Sequence, residues 1–97
     1  MATTITPRSS IRLGPGYAMD VGDYSTDGTT TLTLNFSGGY IITIQFQDAN
    51  QNPLDSATTS TVALTARTTV GGVTSYTLTP GGSSVTNGID ICIHGGV

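Results

Sequence analysis

The stretches Leu32-Thr33-Leu34-Asn35-Phe36 and Ile42-Thr43-Ile44-Gln45-Phe46 decide the fold. In both, apolar and polar residues alternate strictly, which is typical of a β-strand with one buried and one solvated face. The alternation places the even-numbered residues of both stretches in the core. These segments therefore predict strands of an antiparallel sheet.

Similar short segments recur along the chain, separated by Gly, Pro and Asn. A third run of the same type is Val62-Ala63-Leu64-Thr65-Ala66, and shorter ones lie at 11–13, 17–21, 76–78 and 89–93. Abundant Thr, which is β-branched, also favours strands. The sequence predicts an all-β fold, a small antiparallel β-sandwich, immunoglobulin-like or barrel-like, with about seven or eight short strands.

Two Gly-Gly pairs predict hairpins of one type. A three-residue loop at Ser37-Gly38-Gly39 keeps the apolar faces of its flanking strands together, whereas a two-residue loop does not. The same argument applies to Val70-Gly71-Gly72. The expected cross-strand pairs are Phe36 with Tyr40, Leu34 with Ile42, Ala66 with Tyr76 and Leu64 with Leu78.

The charge distribution separates an N-terminal segment from the rest of the chain. Residues 1–16 carry Arg8 and Arg12 and no acid, whereas the remainder carries all six Asp against one Arg. Pro7 and the Gly14-Pro15-Gly16 stretch disfavour a regular central strand. We predict that residues 1–16 form an N-terminal arm that docks on another subunit, and that residues 17–97 form a single β-sandwich domain.

Composition argues against several classes of partner. Charged residues make up only 9% of the chain, the net charge is −3, and Lys, Glu and Trp are absent. Because each neutralised phosphate needs a Lys or Arg, we expect no nucleic-acid partner. The single Cys92 forms no intrachain disulfide, and no apolar run approaches the length of a membrane span. We expect no membrane partner and no secretory leader at Met1-Ala2-Thr3-Thr4.

The segment Ile89-Asp90-Ile91-Cys92-Ile93-His94 carries the residues closest to a chemical constellation. Its alternation predicts that Ile89, Ile91 and Ile93 face the core and that Asp90, Cys92 and His94 lie on the surface. Residues two apart on a strand are about 6.5 Å apart, which gives a row and not a cage. We therefore predict no enzyme, no metal and no cofactor, although symmetry could gather His94 from several chains.

Other candidates are an acidic loop and the tyrosines. Asp20, Asp23 and Asp27 could offer oxygens to calcium, but they lack the ligand spacing of an EF-hand, and a turn is the simpler interpretation. Tyr40 and Tyr76 fall on faces predicted to point inward. Tyr24, in a Gly- and Asp-rich loop, is the exposed aromatic that could contact a partner or a sugar ring. With the two arm residues, the candidate partner-binding set is Arg8, Arg12 and Tyr24.

Two resemblances extend this interpretation. The stretch from Tyr40 to Ala66, centred on Gln47-Asp48-Ala49-Asn50-Gln51-Asn52-Pro53-Leu54-Asp55, resembles the strand, Asp-Ala-Asn-Gly-Asn-Pro loop and strand of bacterial immunoglobulin-like domains, with Gln51 in place of the usual Gly. The short, Thr- and Gly-rich, Lys-free chain as a whole is similar to head-decoration (cement) proteins of tailed phages. That similarity implies a protein that binds a capsid lattice, often as a dimer or trimer.

The two resemblances lead to two functional hypotheses. Because uncharged polar and apolar groups are less costly to bury than charges, the composition suits extensive contact with other subunits. The first hypothesis is a structural virion protein, made in the host cytoplasm, that decorates and stabilises a phage head. Its partners would be the major capsid protein or other virion subunits, with homo-oligomer formation. The alternative is an immunoglobulin-like adhesion or glycan-binding module.

Overall fold

A computed structural model describes residues 2–54 and 60–97. These residues form seven strands: β1 (Thr4–Gly14), β2 (Tyr17–Thr26), β3 (Leu32–Ser37), β4 (Tyr40–Gln47), β5 (Val62–Val70), β6 (Val73–Pro80) and β7 (Val85–Gly95). Sheet A has the order β1-β2-β7-β4 and sheet B the order β3-β6-β5, and every neighbouring pair is antiparallel. The all-β sandwich predicted from the alternating segments is confirmed.

A compact apolar cluster lies between the two sheets. Its buried members are Tyr24, Phe46, Leu54, Leu78 and Val85. The rings of Tyr24 and Phe46 lie 4.7 Å apart between centroids, in a tilted arrangement that aromatic pairs favour. Leu78 is fully buried, and burial of such a side chain stabilises the fold by about 1.5–3 kcal/mol.

Strands β3 and β4 do not form the predicted hairpin. They belong to different sheets, and Leu34 pairs with Tyr76 of β6 and not with Ile42. The Ser37–Gly39 segment instead carries the chain from sheet B to sheet A. A side chain at Gly39 would begin 2.8 Å from the carbonyl oxygen of Gly95, so only glycine fits this corner. The alternation identified the inward face of β3 but not its partner, and Ile42 of β4, predicted in the core, is 49% exposed.

The hairpin between β5 and β6 is partly as predicted. Leu64 pairs with Leu78 as expected, but Arg67 and not Ala66 pairs with Tyr76. The turn has two residues, Gly71 (φ 58°) and Gly72 (φ 80°), and both need the positive φ that glycine tolerates. A register shift between Leu64 and Ala66 takes up the difference.

Most of the segment assigned to an arm is a strand of sheet A. Strand β1 lies at the edge of the sheet and pairs with β2 from Thr4 to Gly14, with irregularities after Pro7 and after Arg12. An edge position tolerates the proline. Near the start of β1, Ile5 packs against the apolar cluster. Docking of this segment on another subunit stays a prediction.

Candidate functional site

The last strand faces the opposite way from the prediction. Asp90, Cys92 and His94 are buried between the sheets, and Ile89, Ile91 and Ile93 lie half-buried on the outer face of sheet A. The facing prediction was therefore wrong. The physical reason lies across the sheet, where small residues of β2 stand opposite the polar ones: Gly22 pairs with Asp90, and Ala18 pairs with His94.

The inward polar residues form a buried cluster, defined here as Asp20, Asp90, Cys92 and His94. His94 Nε2 lies 2.8 Å from Asp20 Oδ2, and the imidazole ring lies 5.5 Å from the ring of Phe36. Within the described part of the chain, His94 Nδ1 has no hydrogen-bond partner. The cluster thus holds one polar contact between β2 and β7 and leaves other polar atoms unsatisfied.

The Asp90 carboxyl is buried and only partly satisfied. Its residue surface is only 3% exposed, and its Oδ1 finds no hydrogen-bond partner among residues 2–54 and 60–97. Burial raises the pKa of this carboxyl to about 6, and the nearby carboxylates of Asp20 and Asp23 add to the rise. The carboxyl therefore changes its charge in mildly acidic solution.

Cys92 is held as a thiol. Burial raises its pKa to about 11, with additional contributions from the Asp20 and Asp90 carboxylates. The thiolate is the nucleophilic and metal-binding form of cysteine, and these surroundings disfavour it. Across the described residues, no group of three His, Cys, Asp or Glu side chains is arranged to hold a metal ion.

A cavity of about 160 Å³ lies beside the polar cluster. Ile5 and Pro7 of β1 form one side, and Leu34 and Phe36 of β3 form another. Asp20 and Asp90 also line it, together with Asn35 and Cys92. The cavity therefore combines an apolar lining with two acidic groups.

The outer face of sheet A is apolar and aromatic over its central strands β2 and β7, while β4 adds the polar residues Thr43, Gln45 and Gln47 opposite the isoleucines. Residues directly opposite each other in neighbouring strands share a face, and Ile11, Met19 and Ile93 form one such row. Beside it, Tyr17 and Tyr40 flank Gly95, and the Tyr40 ring lies over that glycine. Tyr40 is 41% exposed, so its predicted inward facing was wrong, whereas Tyr76 is buried as expected. Val21, Ile89 and Ile91 continue this face along the sheet.

The outer face of sheet B has a different character. It consists mainly of short hydroxyl and amide side chains, including Thr33, Asn35, Ser75 and Thr77, and it also carries Val73 and the exposed Val70 at the end of the β5–β6 hairpin. Ser75 Oγ donates a hydrogen bond of 2.7 Å to Asn35 Oδ1, and Thr65 and Thr79 hydroxyls lie 2.8 Å apart. One outer face of the sandwich is thus mainly polar and the other mainly apolar. The alternation pattern did not predict this contrast, because it placed the β7 isoleucines inside.

The predicted partner-binding residues do not come together. Arg8 and Arg12 are exposed on β1, where Arg8 Nη1 lies 3.5 Å from Asp23 Oδ1 and Arg12 Nη2 donates to the Val97 carbonyl at 3.2 Å. Tyr24 is 0% exposed and belongs to the apolar cluster, so the prediction of an exposed contact was wrong.

The three aspartates considered for calcium also lie apart. Asp20 points into the polar cluster and Asp23 contacts Arg8, while Asp27 closes a loop. The Thr30 hydroxyl and the backbone N–H groups of Thr30 and Thr29 donate to Asp27 and hold the pKa of its carboxyl well below its usual range. Asp27 therefore acts as a turn residue.

The Asp48–Pro53 loop is held by its first residue. Asp48 accepts hydrogen bonds from the backbone N–H groups of Asn50 and Asn52, each at 2.9 Å, and from the Asn52 side chain at 3.2 Å. These contacts, led by the Asn52 N–H, lower the pKa of Asp48. Gln51 takes a φ of 67°, the left-handed conformation that a glycine would adopt more readily.

Searches against protein-family models, curated proteins and solved structures found no match to this chain. None of the described residues forms a helix with the length and apolar content needed to cross a bilayer.

Proposed function

We propose that this chain is a structural virion protein that decorates a phage head and binds the capsid lattice through the outer face of sheet A. The contrast between the two outer faces of the sandwich carries this proposal. The face of sheet B presents mainly hydroxyl and amide groups, with Val70 and Val73 at the end of its hairpin. On sheet A, the central strands β2 and β7 present isoleucine, methionine, valine and tyrosine, and Thr43, Gln45 and Gln47 of β4 border them. A contiguous apolar face of this kind marks an interaction surface.

The residue types on the outer face of sheet A suit a protein interface. Aromatic residues and Met are enriched in interface cores, and charged residues are depleted there. The described part of this face carries one ion pair, Arg8 with Asp23, near its β1 edge. Since few charges would lose water on contact, binding over this face costs little in desolvation.

The edge strands of the sheets also suit assembly into a homo-oligomer, as a dimer or trimer on the head. Strands β1 and β4 end sheet A, and β3 and β5 end sheet B. Monomeric proteins often protect such edges with Lys, and this sequence has none. Neighbouring subunits of a virion would cover these edges.

One observation favours the alternative, an immunoglobulin-like adhesion or glycan-binding module. Tyr17 and Tyr40 are both exposed and flank Gly95 on one face, which leaves two aromatic rings accessible to the apolar side of a sugar. The same two rings would serve as anchors in the capsid interface.

Particle composition tests the proposed function. Heads purified by density from the organism that carries the gene should contain the chain in a fixed ratio to the major capsid protein, measured by quantitative mass spectrometry. Stripped heads should rebind the purified chain to the same ratio. Absence from the heads, together with recovery of the chain on cell surfaces or on a glycan array, would replace the proposal with the adhesion module.

A further inference from the structure

We infer that the cavity beside Asp90 binds an organic cation, a primary ammonium group on a short alkyl stem. This inference is independent of the proposed virion role, because it concerns the space between the sheets and not the outer face of sheet A. The cavity lies where β1 and β2 of sheet A meet β3 of sheet B.

The carboxyl of Asp90 has an oxygen that is buried without a hydrogen-bond partner. A buried carboxylate without a partner is costly, and such a group in a native protein calls for a bound species or another explanation. Asp90 is only 3% exposed, and its Oδ1 has no hydrogen-bond partner within residues 2–54 and 60–97. Asp20 adds a second carboxyl group to the same cavity wall.

The residues that line the cavity indicate a ligand with a positive charge and an apolar stem. An ammonium group offers three donors and a positive charge, which two carboxyl groups would accept. Most of the rest of the wall is apolar, with Ile5, Leu34, Phe36 and Ile44 available to contact an alkyl stem, and Asn35 and Cys92 complete it. A cavity of about 160 Å³ matches the size of an engineered protein cavity, roughly 150 Å³, that binds benzene. By that comparison, a primary ammonium with a stem of about four carbons fits the space.

The ligand must come from outside the chain. The 97 residues contain no lysine, so a second copy cannot supply an ammonium group on a side chain. Two sources share the required chemistry: a free alkylamine and a lysine side chain of another protein. Both present the same cationic end and the same apolar stem.

Titration of the wild-type chain with n-butylammonium chloride at about neutral pH, followed by amide chemical shifts, tests the site. We expect saturable shifts centred on Gly22, Asp90 and Cys92. 1-Butanol, which keeps the stem and removes the charge, should bind about tenfold more weakly or worse. Because this comparison uses the wild-type chain alone, it does not depend on whether any variant folds. Equal binding of the alcohol would overturn the inference.

Two variants locate the charge. Asp90→Asn should lose at least about tenfold in affinity for butylammonium, since one charge-assisted hydrogen bond is removed. Asp23→Asn removes the same charge from a residue that does not line the cavity but lies close enough to influence Asp90, and it should weaken binding much less than Asp90→Asn does. Unchanged binding in Asp90→Asn would overturn the inference.

A third titration distinguishes the two sources. Nα-acetyl-lysine N-methylamide should shift the same amides if the ligand is a partner's lysine, and leave them unmoved if the site takes only a free amine. Either result, following butylammonium binding, supports the cation site. No saturable shift with either probe overturns it.

Discussion

Asp90 and Gly22 face each other across sheet A, and the carboxyl of the first occupies the space in which a side chain on the second would begin. A Cβ at residue 22 would lie 2.9 Å from Asp90 Oδ1 and 2.7 Å from the backbone oxygen of Thr6. The absence of a side chain at one position therefore lets a carboxyl point inward at the other. This pair lets Asp90 face the interior of the sandwich.

Gly22→Ala should destabilise the sandwich. The added methyl group meets the backbone of β1 as well as the carboxyl, and a backbone oxygen cannot move aside cheaply, so we expect a loss of about 1–3 kcal/mol in the free energy of unfolding. Urea unfolding followed by circular dichroism measures it. Ser9→Ala, an exposed change on β1, should stay within about 0.5 kcal/mol of wild type. A neutral Gly22→Ala would contradict the close packing at this pair.

The raised pKa of Asp90 predicts a pH dependence of stability. Its folded-state pKa of about 6 exceeds the ordinary 3.8, so the folded chain binds this proton more tightly than the unfolded chain does. The associated stability is fully present below about pH 4 and is lost as pH rises through about 6, by roughly 2–3 kcal/mol. Unfolding in urea at about pH 4, 5, 6 and 7.5 follows the change.

Asp90→Asn isolates this contribution from the other groups at the cluster. Asp20, Asp23 and His94 also face or surround the site, so only the difference between wild type and variant reports Asp90. We expect the variant to gain stability relative to wild type above about pH 6 and to lose that advantage in acid. A constant difference across the range would show that Asp90 titrates normally.

Cys92 should be unreactive in the folded chain. Because its thiol is buried and its pKa is raised to about 11, very little thiolate is available near neutral pH. Ellman's reagent should label it slowly under native conditions and rapidly in denaturant. Rapid native labelling would mean that the interior of the sandwich opens to the reagent or that the thiolate is stabilised.

Alternation along the sequence predicted the strands well and their facing less well. In β3, Leu32, Leu34 and Phe36 point inward as predicted, because their outward neighbours are clearly polar. In β7, isoleucine alternates with Asp, Cys and His, and hydrophobicity alone assigns the isoleucines to the core. Because the outer face of sheet A is itself apolar, that rule reverses the true arrangement.

The information that would have corrected the facing of β7 lies in its partner strand. Ala18 and Gly22 mark the inward face of β2 as the one with small residues, but this helps only when β2 is known to pair with β7 in the observed register. The sequence alone does not supply a register between strands separated by most of the chain. The two outer faces and the cavity were therefore beyond its reach.

Deleting residues 2–13 should destabilise the sandwich. Thr3 is buried and its hydroxyl lies 2.6 Å from that of Thr26, while Ile5 packs against the apolar cluster. Loss of these contacts and of the β1 ladder should lower the melting temperature by several degrees or more, since about 1 kcal/mol shifts a domain of this size by about 4–8 °C. Calorimetry of the truncated chain measures the change. An unchanged transition would restore the view of this segment as a separate arm.

Charge placed on the outer face of sheet A should weaken assembly. Ile11 lies opposite Met19 on the outer face of sheet A, and Ile42 lies at the register shift of the β4 edge strand. Both are exposed large apolar residues, so aspartate at either position has access to water in the monomer and should leave the fold intact. In an assembled state the same carboxylate would be buried without a partner. We therefore expect Ile11→Asp and Ile42→Asp each to weaken self-association or head binding by about tenfold or more, measured by sedimentation equilibrium and by binding to stripped heads.

The matched control is Thr33→Asp, which adds the same charge to an exposed position on sheet B and should behave as wild type. If all three variants weaken assembly equally, the effect is one of net charge; if Thr33→Asp alone weakens it, the polar face is the interface and the proposed orientation on the head is reversed.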